Sequence, residues 1–206
     1  MKLLPTGLAD CFIIEPDIFT DNRGYFFESF NESTFSKLAG FSVHFVQDNQ
    51  SYSKYGVLRG LHFQNGEHAQ AKLVQVVKGE VLDVAVDLRP NSPTYGRHTS
   101  IRLSEENKTM FFVPRGFAHG FAVLSDEAVF QYKCDNFYNK ESESGIHYAD
   151  PFLAIDWTLP ADDLIISDKD RELPFLSGQK NNIYKERGNE FAENVSRQFI
   201  NNTVNS

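Results

Sequence analysis

Short runs of β-branched and aromatic residues recur along the chain at intervals of roughly 8 to 12 residues, separated by turns rich in Gly, Pro, Asn and Asp. Little of the chain between them has helical periodicity. This pattern predicts an all-β sandwich or barrel with a few short peripheral helices. The predicted strands cover residues 25–30, 43–50, 57–64, 73–77, 81–88, 98–103, 110–113, 122–124 and 128–134.

A short helix is predicted between two of the first strands. Asn31 or Ser33 can cap its first turn, Phe35 and Leu38 lie on one face, and Gly40 can end it. Residues 135–177 have frequent Pro, Asp and Ser, which predicts loops and short helices packed across the sheets.

Lys78–Gly79 separates the strands predicted at 73–77 and 81–88, which predicts a tight hairpin. In the second of these strands the even-numbered positions are apolar. Asp83 and Asp87 lie among the odd-numbered positions, on the opposite face. We therefore expect one side of this strand to be core.

The chain length favours one domain. A chain of 206 residues with 41% hydrophobic and 23% charged residues suffices for one well-packed core. We place this domain at residues 1–180 and treat 181–206 as a polar C-terminal extension. Phe191, Val195 and Phe199 recur there at four-residue spacing, so an amphipathic helix and a frayed tail both remain open.

Charge and cysteine content exclude several classes of protein. A formal net charge of −8 argues against nucleic acid as a partner, and an anionic ligand would need a local basic pocket. Cys11 and Cys134 form neither a CxxC pair nor a disulfide framework. The N-terminus has no apolar signal region, and no run approaches the about 18 apolar residues of a membrane span. We expect a cytoplasmic protein without a membrane partner.

A cationic segment stands out between residues 57 and 72. Arg59, His62 and Lys72 fall within it, on stretches with strand-like composition. A histidine that titrates near neutral pH beside fixed positive charges suits proton removal from an anionic substrate. For any one of these residues alone, a core histidine with two solvated cations is the simpler interpretation.

Further motifs combine with this segment into a recognisable set. They are Asp21–Gly24, Val57–Gln64, Ser92–Thr94, Phe112–Phe121, Gln131–Lys133, Tyr138–Glu143 and Ser167–Asp170. In this order they closely resemble the dTDP-4-dehydrorhamnose 3,5-epimerase family of sugar-nucleotide enzymes, over roughly residues 5 to 175. The resemblance implies a cupin-type double-stranded β-helix, or jelly roll.

The resemblance also implies a reaction. The family's substrate is dTDP-4-dehydro-6-deoxy-D-glucose, whose C4 ketone acidifies the hydrogens at C3 and C5. By resemblance, His62 is the base and Asp170 orients its ring. Lys72 stabilises the enolate oxygen, and Tyr132 donates a proton on the opposite face. The choice of Asp170 over Asp168 rests on the family motif, because the two have the same parity.

Binding residues and an assembly follow from the same resemblance. Arg23, Arg59 and Lys169 would hold the diphosphate, and Tyr138 would stack on thymine. Further positions would line the sugar-nucleotide site: Glu28, Gln47, Asp48, Asn49, His119 and Glu143. Family members are homodimers with exchanged N-terminal strands, so Arg23 and Glu28 would serve the other subunit. No cofactor is implied.

Arg59 and His62 have opposite parity in a straight strand, so both can face one pocket only if Gly60 marks a bulge. Many cupins bind a metal, but His62 is followed by Phe63 and Gln64, and the ligand count falls short of a metal site.

The alternative functions are a monofunctional 3- or 5-epimerase, an enzyme for a related 4-keto sugar and a non-catalytic sugar-nucleotide-binding cupin.

Overall fold

The computed structural model describes residues 1–176, which form fourteen strands and two α-helices. The strands are β1 Lys2–Pro5, β2 Phe12–Glu15, β3 Ile18–Asp21, β4 Gly24–Phe27, β5 Gln47–Lys54, β6 Val57–Gln64, β7 Lys72–Lys78, β8 Glu80–Asp87, β9 His98–Ser104, β10 Met110–Val113, β11 Phe117–Val123, β12 Glu127–Cys134, β13 Glu143–Gly145 and β14 Ile165–Ile166. The helices are α1 Glu32–Ala39 and α2 Asp168–Arg171, and three short 3-10 turns lie at Gly66–His68, Lys140–Ser142 and Ala161–Asp163.

The strands form two large sheets. One has the order β1-β2-β10-β7-β12-β5, and the other has the order β13-β6-β11-β8-β9, with β14 added in parallel to β6. Strands β3 and β4 form a separate two-stranded hairpin. Apolar side chains from both large sheets, such as Val74, Phe111, Phe121 and Val123, meet in one buried cluster between them. This arrangement confirms the predicted all-β jelly roll.

The hairpin predicted at Lys78–Gly79 is wrong, because β7 and β8 belong to different sheets. Strand β7 pairs on both sides with β10 and β12, and β8 pairs with β11 and β9. Gly79 (φ +79°) turns the chain from one sheet to the other, where an added Cβ would lie 2.0 Å from the carbonyl oxygen of Glu127. Turn chemistry alone does not distinguish a hairpin from such a crossing.

Strand β8 is buried on both faces, and not only on its apolar side. Its even-numbered residues pack against Ile146, Trp157 and other side chains of the segment after β12. Its odd-numbered residues point into the barrel, and Asp83 and Asp87 are both 0% exposed. Because the C-terminal part of the described chain covers the outside of this sheet, alternation does not separate core from solvent here.

Helix α1 confirms the predicted short helix. The Asn31 side chain accepts a hydrogen bond from the Thr34 N–H at 3.0 Å, and Gly40 ends the helix in the left-handed conformation. Phe35 is fully buried and anchors the helix on β2 and β10, among residues such as Ile14 and Phe112.

Two of the predicted strand starts shift by four residues or more. The strand predicted from residue 43 begins at Gln47, since Val43 and Phe45 instead pack in the cluster around α1. Strand β11 begins at Phe117, earlier than predicted, so His119 lies within a strand. The C-terminal extension, with the helix predicted around Phe191, Val195 and Phe199, lies outside the described residues. No helix within residues 1–176 is long and apolar enough to cross a membrane.

Candidate active site

A cavity of about 640 Å³ opens among strands of both sheets and the segment that leads into α2. A neighbouring cavity of about 280 Å³ shares four of its residues, Asn49, His62, Lys72 and Tyr132. Together the two cavities bring together most of the site residues predicted from the sequence: Gln47, Asn49, Arg59, His62, Lys72, His119, Tyr132, Tyr138, Glu143, Lys169 and Asp170.

A bulge in β6 directs Arg59 and His62 into the same cavity. His62 pairs with His119 across β6 and β11, whereas Arg59 pairs with Phe121. Three steps along β6 therefore match two along β11, and the extra residue reverses the alternation. The bulge predicted at Gly60 is confirmed.

The bulge depends on two facing glycines. Gly60 has φ +123°, and a Cβ added there would lie 2.6 Å from the Cα of Gly120. A Cβ added to Gly120 would lie 2.6 Å from the carbonyl oxygen of Arg59. Because backbone atoms cannot move aside as a flexible side chain does, only glycine fits at either position.

His62 is held by a buried carboxylate. Its Nε2 lies 2.6 Å from Oδ1 of Asp170, which is 3% exposed, and the Gly60 N–H donates to Oδ2 at 3.3 Å. Burial raises the pKa of the Asp170 carboxyl, but the His62 hydrogen bond and charge outweigh burial, so the pKa lies below its usual value. Asp170 is thus a carboxylate that accepts from Nε2, which leaves Nδ1 as the second ring nitrogen.

The Asp170 position is set by the start of α2. The Ser167 side chain caps this helix by accepting from the Asp170 N–H at 3.1 Å. The preceding β14 is fixed in parallel to β6. Asp168, the sequence alternative to Asp170, is exposed.

Lys72 and Tyr132 lie close together on the inner faces of β7 and β12. The Lys72 Nζ is 5.9 Å from the centre of the Tyr132 ring. Burial lowers the pKa of the Lys72 ammonium, opposed by the negative charges of nearby groups including Asp83 and Glu143. Burial likewise raises the pKa of the Tyr132 phenol. In the described part of the chain Lys72 has no ion pair, so its charge is available to a ligand.

An exposed aromatic residue and a salt bridge mark the mouth of the smaller cavity. The Tyr138 hydroxyl donates to Glu143 Oε2 at 2.9 Å, and Lys169 Nζ lies 2.8 Å from the same oxygen. The Gln47 side chain accepts from the Tyr138 N–H at 3.1 Å. Arg59 donates through Nε to Ser53 Oγ at 3.1 Å, and its guanidinium remains exposed.

Three predicted site residues lie outside both cavities. Arg23 is at the tip of the β3–β4 hairpin and is paired with Asp21, while Glu28 accepts a hydrogen bond from Asn31. Asp48 is on the outer face of β5, 3.0 Å from Lys133 Nζ. Since Asp48 alternates with Gln47 and Asn49, which line the cavity, it has to point away from it.

Sequence reasoning missed Asp83, which is buried against His119. The His119 Nε2 lies 2.8 Å and 3.0 Å from the two carboxylate oxygens. The contact joins residues 36 positions apart, and the periodicity of β8 showed only that Asp83 lies on the face opposite the apolar one. Within residues 1–176, no group of three or more His, Cys, Asp or Glu side chains is arranged to hold a metal ion.

Comparison with known proteins finds extensive similarity. A family model described as dTDP-4-dehydrorhamnose 3,5-epimerase matches residues 5–178. The protein of that name from Methanothermobacter thermautotrophicus is 57% identical over 171 residues, which are 82% of this chain and 91% of that protein.

Solved structures extend the similarity to the fold. The dTDP-4-dehydrorhamnose 3,5-epimerase of Elizabethkingia anophelis is 60% identical, with a TM-score of 0.85, and the match covers 86% of this chain and 97% of that one. A dTDP-6-deoxy-D-glucose-3,5-epimerase from Legionella pneumophila, in complex with dTDP-4-keto-L-rhamnose, is 50% identical with a TM-score of 0.82. That match covers 85% of this chain and 93% of the other.

The substitution Gly60→Ala tests the bulge. We expect it to lower the free energy of unfolding by more than about 3 kcal/mol, because the added Cβ meets backbone and the φ value is strained. Gly66→Ala is the control: Gly66 also has positive φ (+60°), but no atom lies within 4 Å of the added Cβ, so we expect a loss of about 1 kcal/mol. Urea denaturation measures both, and equal losses would contradict the close approach of β6 and β11.

Proposed function

Since the chain belongs to the dTDP-4-dehydrorhamnose 3,5-epimerase family, we propose that it inverts C3 and C5 of dTDP-4-dehydro-6-deoxy-D-glucose to give dTDP-4-dehydro-L-rhamnose. The observation that best supports this reaction is the His62–Asp170 pair in one cavity with Lys72 and Tyr132. These four residues supply a base, its orienting carboxylate, a cation and an acid. The reaction is an isomerisation.

His62 is the proposed base. Asp170 accepts the Nε2–H and fixes the ring, so the lone pair at Nδ1 is the one able to take a proton from C3 or C5 of the sugar. Once His62 is protonated, the adjacent carboxylate stabilises the imidazolium. Such a base contributes about 10²–10⁴-fold to the rate.

Lys72 is the proposed stabiliser of the enolate. Removal of a proton beside the C4 ketone places negative charge on the ketone oxygen, and an ammonium without an ion pair in the described chain can meet that charge. In an active site, one such interaction is worth about 3 kcal/mol in the transition state. Its position beside Tyr132 supports a shared role around one sugar ring.

Tyr132 is the proposed acid that returns a proton to the opposite face. The raised pKa of its buried phenol keeps the hydroxyl protonated at neutral pH, so a proton is available for donation. The enolate formed beside it is a strong enough base to accept that proton. Inversion follows when the proton returns on the face opposite to the one from which it left.

The nucleotide end is proposed to lie at the cavity mouth. Arg59 and Lys169 would contact the diphosphate, and Tyr138, which is 55% exposed, would stack on thymine. Lys169 is paired with Glu143 without a ligand, so a diphosphate would compete for this ammonium or share it with the carboxylate. Gln47, Asn49 and His119 would complete the lining around the sugar.

A homodimer with exchanged N-terminal strands is part of the proposal. The β3–β4 hairpin carries large apolar side chains that are mostly exposed, including Phe19 (64%), Tyr25 (60%) and Phe26 (69%). Such a surface favours burial against a second copy. Arg23 at its tip, and Glu28 beyond it, would then enter the other subunit's site.

A cytoplasmic location is also proposed, and the free thiols of Cys11 and Cys134 fit a reducing compartment.

The variant His62→Asn tests the base. We expect exchange of the C3 and C5 hydrogens with solvent to fall by about 10²–10⁴-fold, while the dissociation constant for dTDP changes little. Proton NMR in deuterated water and calorimetric titration measure the two quantities. The exposed and remote His44→Asn is the control and should behave as wild type. Turnover of His62→Asn at the wild-type rate would exclude His62 as the base.

The variant Tyr132→Phe separates proton removal from proton return. We expect label at C5 of a deuterated substrate to be released into solvent, while product of inverted configuration forms at least about tenfold more slowly. Tyr52→Phe, whose exposed hydroxyl donates to Glu127 on the neighbouring strand, is the control. If Tyr132→Phe lost the release of label as completely as His62→Asn does, the proposed division of roles between His62 and Tyr132 would be wrong.

A mixed dimer tests the crossing of Arg23. We expect Arg23→Ala and His62→Asn to be impaired separately. A dimer containing one subunit of each, purified through two affinity tags, should recover about half the wild-type kcat/KM, because one of its two sites is then complete. A monomer in sedimentation analysis, or a mixed dimer no more active than its parents, would contradict the proposed exchange.

A further inference from the structure

Asp83 carries a buried carboxyl group behind the cavity wall. It lies on β8, is 0% exposed, and both of its carboxylate oxygens face the His119 Nε2. Among the described residues, His119 is the only one whose side chain donates to it. His119 lines the cavity and Asp83 does not. Asp83 can therefore affect a ligand only through the His119 ring and through its charge.

The environment of Asp83 is costly for a carboxylate. Burial raises its pKa, and attraction to His119 and to Lys72 opposes that rise. The same attraction to Asp83 raises the pKa of the Lys72 ammonium against the effect of burial. In a barrel interior, an apolar side chain of similar size would often be at least as stable as a paired charge. Packing alone therefore does not account for an aspartate here.

The pair His119–Asp83 has the same arrangement as the proposed base His62 and its partner Asp170. His62 and His119 lie directly opposite each other on β6 and β11, and both line the cavity. Each ring has its Nε2 against a carboxylate that is nearly or fully buried, Asp170 for His62 and Asp83 for His119. A carboxylate on one ring nitrogen fixes the tautomer and the ring orientation.

We propose that Asp83 is a positioning residue for the epimerisation: it fixes the orientation of the His119 ring with Nε2 protonated, and its carboxylate attracts the Lys72 ammonium across the barrel interior. The inference rests on the proposed function, which supplies the reaction that Lys72 serves. Asp83 does not line the cavity. Its effect belongs to the chemical step, because Lys72 meets the charge that develops at the ketone oxygen, while Arg59, Lys169 and Tyr138 hold the nucleotide.

The variant Asp83→Asn tests this role with almost no change in volume. We expect kcat for epimerisation to fall about tenfold or more, and KM to stay within about threefold, since transition-state stabilisation is weakened more than binding. ¹⁵N NMR of the imidazole groups should show a protonated Nε2 at His119 in the wild type. In Asp83→Asn we expect that signature to change while the His62 signals stay the same.

Asp87→Asn is the matched control. Asp87 lies four residues further on the same strand and is also 0% exposed, but it accepts from Arg89, Ser92 and Thr94. We expect this variant to lower the melting temperature without changing kcat or the His119 signals. A kcat of Asp83→Asn within about twofold of wild type, or equal losses of kcat in both variants, would overturn the inference.

A second variant and a second readout keep the proposal testable. If Asp83→Asn does not fold, Asp83→Val replaces the carboxylate by an apolar side chain that suits a strand, and the same fall in kcat is expected. A folded Asp83→Val with wild-type kcat would overturn the inference.

If the wild type itself does not epimerise the sugar nucleotide, the proposed function fails. The His119 signals then still show whether Asp83 sets the tautomer, and signals unaltered by the substitution would reject that role.

Discussion

The close approach of β6 and β11 at Gly60 and Gly120 governs the geometry of the site. Two backbones can lie this near only without side chains between them, and the extra residue on β6 then turns Arg59 and His62 into one cavity. The Gly60 N–H also donates to Asp170, the carboxylate that holds His62. A single backbone feature therefore sets the direction of the proposed base, its partner and one proposed phosphate ligand. Rigid strands on both sides hold this arrangement in place before a substrate binds.

Burial and paired charges determine the chemistry that the cavity can support. Lys72, Asp83 and Tyr132 all have pKa values displaced by burial, each in the direction that favours its neutral form. Attraction between Lys72 and Asp83 opposes the effect of burial on both pKa values. Within such a site, charges and dipoles act more strongly than in water, because little solvent screens them. A C–H group beside a ketone needs this environment, because it loses its proton only where the negative charge that develops on the ketone oxygen is stabilised.

Local patterns in the sequence predict a large part of the fold. Helix α1 has the predicted N-cap and C-cap, β10 has the predicted bounds, and the parity conflict between Arg59 and His62 led to the bulge at Gly60. Patterns that depend on distant pairing were misread. Lys78–Gly79 has the composition of a hairpin turn, but the pairing partners of β7 and β8 lie in different sheets. Alternation placed Asp83 opposite the apolar face of β8, but the burial of both faces depends on later residues and cannot be seen locally. The roles of the site residues came from the family motif, which says nothing of Asp83.

Hydrogen exchange in the wild-type enzyme tests the central claim most directly. The full chain, with no metal added, is incubated with dTDP-4-dehydro-6-deoxy-D-glucose in deuterated water, and C3 and C5 are followed by proton NMR. The proposed mechanism predicts deuterium at both centres and a product with both centres inverted. Deuterium at only one centre would contradict the 3,5-epimerase assignment and indicate a monofunctional relative. Absence of deuterium from both centres, with the nucleotide sugar bound, would contradict catalysis of this substrate altogether.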